Sequence, residues 1–167
     1  MAKLTIHQAL EKALKAHKSG KLQDAYRILE TILKYEPQHP DGNHNMGVLL
    51  VSMSKHDEAL FFFEKALKSN PNVAQFWYSC VDLLIKLQRL SDATTLLTQA
   101  KNKGAAGDAF EKLEQVLLSQ SIKERIQVGV QRVNDLCEQG EFTAAIDTSV
   151  EFSKVFPDSE IFYFLIG

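Results

Sequence analysis

The sequence predicts an all-α fold, a solenoid of antiparallel helix pairs, and three observations carry that prediction. The chain resembles itself at a shift of 34 residues: Ala25, Ala59 and Ala93 fall into register, as do Ala66 with Ala100 and Pro37 with Pro71. Within each copy apolar residues recur three and four apart, as in Trp77, Val81, Leu84 and Ile85, which is the helical period. Between them stand small or polar clusters such as "KSGK" and "EQGE", and prolines close the second segment of most copies.

Taken in order, the first copy spans 6–39, the second 40–73 and the third 74–107. Their turns and second helices fall within "GKLQDAYRILETILKYEP", "SKHDEALFFFEKALKSNP" and "QRLSDATTLLTQAKNKGA", with an alanine where the two helices of a pair cross. A methyl group there lets two backbones approach to the short end of the usual 8–10 Å interaxial range. The stretch 108–125, "DAFEKLEQVLLSQSIKER", interrupts the period and reads as one amphipathic helix, with an N-cap expected at Asp108 and Phe110, Leu113, Val116 and Leu117 on one stripe. That stripe needs cover, so we expect the helix to pack rather than to act as a hinge. A fourth copy follows over 126–159, with Gly140, Ala145 and Pro157 in the expected places. The end, 160–167, reads "EIFYFLIG" and aligns with the opening of a fifth first helix.

The pattern resembles the tetratricopeptide repeat, in which a bulky residue, an apolar residue and a glycine mark the first helix and two small residues and a proline mark the second. The second copy matches best, with Met46, Gly47, Ala59, Phe63, Ala66 and Pro71, and the third supplies Trp77, Ala93 and Ala100. The departures are Val81 and Val133 at the glycine position, Ile32 and Phe152 at the second small position, and Ala105 for the third proline.

The resemblance implies a right-handed superhelix whose inner wall is built from first helices and binds extended peptides or short helices. By alignment that wall offers Leu14 from the first copy, His44, Val48 and Val51 from the second, Tyr78, Asp82, Ile85 and Lys86 from the third, and Asn134 from the fourth. The family's clamp for chaperone tails does not fit, because Leu10, Leu14, Gln75 and Ser79 stand where it needs lysines, asparagine and arginine, and only Asn45 agrees. The expected function is a non-catalytic scaffold binding a protein or peptide. The alternative is the N-terminal TPR array of a larger bacterial protein that continues into a glycosyl-, sulfo- or methyltransferase domain.

Composition narrows the rest. Nineteen basic and twenty-one acidic residues leave a net charge of −2, too little field for nucleic acid or an anionic membrane to be expected partners. No run approaches the roughly 18 apolar residues of a membrane span. Cys80 and Cys137 form no CxxC pair, so reduced thiols in a cytoplasmic compartment are expected. The five histidines lack ligand spacing, and no phosphate loop or nucleophile elbow occurs, so neither metal, cofactor nor catalytic residue is expected. His39 and His44 read as solvated turn and helix-edge imidazoles. Lys12, Lys15, Lys18 and Lys21 gather in and after the last turns of the first helix, where the helix dipole favours cations. Phe162, Phe164 and Leu165 lie in an uncovered apolar end, for which self-association as a twofold homodimer is expected.

Overall fold

The computed structural model describes residues 5–159. Among them are eight helices and no strand: α1 Ile6–Lys18, α2 Leu22–Tyr35, α3 Pro40–Ser52, α4 His56–Ser69, α5 Ala74–Lys86, α6 Leu90–Asn102, α7 Asp108–Glu138 and α8 Phe142–Val155. The chain is an all-α helical solenoid. Two compact units divide it between Glu114 and Gln115, with α7 running through the division. In the first unit each helix packs on its sequence neighbour, and α1 also touches α3.

Local chemistry sets the helix ends. Thr5 caps α1 in a capping box with Gln8, and the His39 Nδ1 accepts from the Gly42 N–H at 3.1 Å to cap α3. Every turn from first to second helix uses the same left-handed residue, at Gly20, Ser54, Gln88 and Gly140. In each, the next amide reaches back five residues, as in Lys21 N–H to Ala16 O and Arg89 N–H to Leu84 O, both 2.9 Å. This closes the last turn as a Schellman motif. Prolines 37, 71 and 157 then stop the second helices because they cannot donate and push the preceding residue out of helical geometry.

Ala25, Ala59, Ala66, Ala93 and Ala100 are fully buried, as their place at helix crossings requires. The departures from the family pattern become intelligible as pairs. Residues 16 apart within a copy are Ala13 and Leu29, Gly47 and Phe63, Val81 and Leu97, then Val133 and Ser149. The largest second member, Phe63, faces the smallest first member, Gly47, and the smallest second member, Ser149, faces Val133. A Cβ on Gly47 would sit 2.5 Å from the Phe63 ring, so the large ring there requires the glycine. Residues 23 apart behave alike: Ala9 and Ile32, Asn43 and Ala66, Trp77 and Ala100, then Gly129 and Phe152, where a Cβ on Gly129 would again come within 2.5 Å of the ring. Dense interiors tolerate volume that is exchanged, not added.

The region 108–138 differs from its sequence-based expectation. The separate inserted helix and the first helix of the fourth copy are one continuous α7, and Asp108 is its first residue instead of a cap. The stretch 121–126, "SIKERI", holds no proline or glycine that could end a helix. Phe110, Leu113 and Leu117 are buried, but Val116 is 41% exposed and leaves the expected stripe. The expected self-association residues Phe162, Phe164 and Leu165 lie outside the described residues.

Candidate functional site

The first helices α3 and α5 lie side by side, and between them opens a groove of about 210 Å³. Val48, Val51 and Ser52 form one wall, Tyr78, Asp82 and Lys86 the other, and Phe63, Ser79 and Leu83 the floor. Val48, Val51 and Ser52 stand three and four residues apart on α3, and Tyr78, Asp82 and Lys86 four apart on α5, so a single face of each helix supplies these walls.

Five residues expected on the inner wall are therefore brought together: Val48, Val51, Tyr78, Asp82 and Lys86. The other four are not. Ile85 is only 6% exposed, packed in the core where a partner cannot reach it. Leu14 is exposed on α1 and takes no part in lining the groove, and Asn134 is exposed on α7 in the second unit. His44 lies beneath the groove, not in solvent as a helix-edge imidazole would. Its ring stands 5.4 Å from Phe63 and 5.0 Å from Phe76, and its Nε2 is 2.9 Å from Ser79 Oγ. Burial between those rings lowers its pKa below the ordinary imidazole value, against the smaller opposing influences of Asp41 and an Asn45 hydrogen bond.

Polar contacts fix the walls. Lys86 Nζ and Asp82 Oδ2 pair at 2.7 Å one helical turn apart, in the orientation that the helix favours. Gln75 Nε2 donates to Ser79 Oγ at 3.3 Å, and His17 Nε2 meets Ser52 Oγ at 2.8 Å, joining α1 to α3 as His44 joins α3 to α5. Ser52, Ser79, Phe63 and Leu83 were not anticipated as lining residues. The two His–Ser bridges span 35 residues each, one period plus one, and that offset is the signal that would have found the serines.

A histidine bonded to a serine invites a nucleophilic reading, which needs an exposed hydroxyl and a group that orients the imidazole. Ser79 is only 9% exposed, and among the described residues no carboxylate bonds either the His17 or the His44 ring. The Cys80 thiol, buried in the core, is pushed up to about 12 and holds its proton at neutral pH. No group of three His, Cys, Asp or Glu able to hold a metal ion occurs among the described residues, and no helix there is long and apolar enough to cross a membrane. Among the described residues the groove thus presents apolar walls and one ion pair at its rim.

Residues 50–117 match the family model described as tetratricopeptide repeat. Solved structures share the fold. The Yersinia enterocolitica type III secretion chaperone SycD, in complex with a peptide of the translocator YopD, superposes with a TM-score of 0.63 at 17% identity, over 74% of this chain and 97% of that one. The TPR2B domain of yeast Sti1 in a pHsp70 complex gives 0.61 at 18% identity, over 70% and 95%. An O-GlcNAc transferase of Thermobaculum terrenum gives 0.54 at 22% identity, over 62% of this chain but 20% of the transferase.

Proposed function

We propose that this tetratricopeptide-repeat protein is a non-catalytic scaffold that holds a peptide or short helix in the groove between α3 and α5. The observation that carries the proposal is the convergence of Val48, Val51 and Tyr78 around one small cleft, with the Asp82–Lys86 pair at its rim. A space of about 210 Å³ takes one large side chain, so the partner offers a single apolar anchor here with polar backbone beside it. That SycD and the Sti1 domain are themselves seen with a bound peptide or chaperone supports the same use of the fold. Protein and peptide are the proposed partners, and a soluble cytoplasmic setting is the one in which such a groove meets them.

The test is selection of peptides from a displayed library on the intact chain, followed by titration against Val51→Lys and Tyr78→Ala. Aromatic anchors in such sites contribute about 2 kcal/mol or more, so Tyr78→Ala should weaken the selected peptides by thirtyfold or so. Tyr78 also meets Phe110 edge-on at 6.3 Å, and circular dichroism must show the fold retained. Peptides that bind both variants as tightly as the intact chain would dismiss the groove.

The likeness to part of the O-GlcNAc transferase supports a second reading, a recruiting module at the front of a longer transferase. Sequencing the transcript beyond the codon for Gly167 separates the two: a following α/β catalytic domain favours the second.

A further inference from the structure

Where the second and third repeats meet, Glu64 and Leu67 of α4 share a cleft of about 490 Å³ with Trp77 of α5 and with Asp92, Thr95 and Leu96 of α6. Two periods earlier, those α5 and α6 positions are Ala9, Asp24, Arg27 and Ile28. They line two adjoining clefts of about 510 and 470 Å³ on the pair α1–α2, and all the other lining residues also belong to α1, α2, the Thr5 cap or the turn between them. Among the described residues nothing plays for α1–α2 the part that α4 plays for α5–α6.

The chemistry of this face changes along its length. At one end Ile6, Ile28 and Tyr35 leave apolar surface open, Tyr35 being 82% exposed. At the other stand Lys12, Lys15, Lys21 and Arg27, with Asp24 as the one acid among them. Two of these cations occupy positions that are core in the next repeats: Lys12 stands where Met46 and Cys80 are buried, and Lys15 where Leu49 and Leu83 are buried. None of the four is ion-paired with a described residue. A face that served only to keep the array solvated would have exchanged the isoleucines as well.

We propose that the α1–α2 face docks an amphipathic helix of another protein, its apolar stripe lying across Ile6, Ile28 and Tyr35 and its acidic flank against Lys12, Lys15 and Arg27. A helix is the shape that the corresponding face accepts from α4, and acidic side chains complete the unpaired cations. A second copy of the same face is disfavoured because it would set lysines against lysines.

The probes are two fluorescein-labelled helical peptides of about 16 residues with the same leucine stripe, one flanked by glutamates and one by lysines, titrated against the 167-residue chain by fluorescence anisotropy. The glutamate peptide should bind, more weakly as salt rises, and the lysine peptide should not. Lys15→Glu with Arg27→Glu should cost about tenfold or more for the glutamate peptide and shift preference toward the lysine peptide. Ile28→Asp should abolish binding, while Tyr78→Ala, in the groove between α3 and α5, should leave it unchanged. Three results overturn the proposal: neither peptide binds; light scattering shows a dimer that Ile28→Asp dissolves; or binding requires deletion of residues 1–4, which would make the chain's own leading segment the occupant.

Discussion

The second and fourth repeats both seat a phenylalanine ring of the second helix against a glycine of the first, at levels one helical turn apart. In the second, Gly47 of α3 admits Phe63 of α4 near the middle of the crossing; in the fourth, Gly129 of α7 admits Phe152 of α8 a helical turn away. Judged column by column, Phe152 breaks a small-residue position and Val133 a glycine position. Judged pair by pair, the large ring has moved to another level and the glycine has moved with it. At both crossings the ring is matched by a missing side chain, so a phenylalanine that departs from the pattern predicts a glycine facing it.

The most forceful way to break this comparison is to add volume to one member of each pair. Gly47→Val should cost about 1–3 kcal/mol in urea unfolding, and adding Phe63→Leu, which copies Val81 and Leu97 of the third repeat, should recover most of it. Gly129→Ala should likewise be rescued by Phe152→Ile, the combination already present as Ala9 and Ile32. If the second substitution worsens either variant additively, the residues are not coupled.

A smaller contrast is electrostatic. The second repeat buries an imidazole at His44, and the fourth has Val130 at the same position. Because the folded His44 has a lowered pKa, the unfolded chain binds the proton more readily, so stability is complete above about pH 6.5 and is lost as pH falls through the folded value. Acidification from pH 7.5 to 5 should therefore lower amide protection factors, taken against the intrinsic rate at each pH, in α3 and α5 before α8, and His44→Phe should remove the difference. Equal acid sensitivity in both regions, or none in either, would show that burial of His44 has no energetic consequence.

The smallest effect separates turns that share one shape. Gly20 and Gly140 take the left-handed conformation without penalty, whereas Ser54 and Gln88 hold it despite their side chains. Gln88→Gly should stabilise by about 0.5–1 kcal/mol in urea unfolding, and Gly140→Ala should destabilise by a similar amount. A destabilising Gln88→Gly would mean that the glutamine side chain contributes more than its backbone strain costs.

The period, the helices and the buried alanines were legible because each is a local signal repeated at a fixed interval. The boundary expected between 125 and 126 came from the repeat frame and not from the residues there, which include no proline or glycine to stop a helix. Of the groove, Val48, Val51, Tyr78, Asp82 and Lys86 could be placed by alignment with the repeat that the chain resembles. His44 and Ile85 could not, since their burial is decided by neighbouring helices: Phe63 and Phe76 enclose the imidazole from α4 and α5.

The prolines that end the second helices have an optical consequence. Pro37 and Pro71 each leave a carbonyl with no helical donor, and the next repeat supplies one: Asn43 Nδ2 donates to Pro37 O at 3.1 Å and Trp77 Nε1 to Pro71 O at 2.7 Å. The chain's one tryptophan is thus 6% exposed and bonded across the junction of the second and third repeats. Its emission is a native gauge of that joint: wetting the indole red-shifts the spectrum when the two repeats part, even while every helix on either side remains wound.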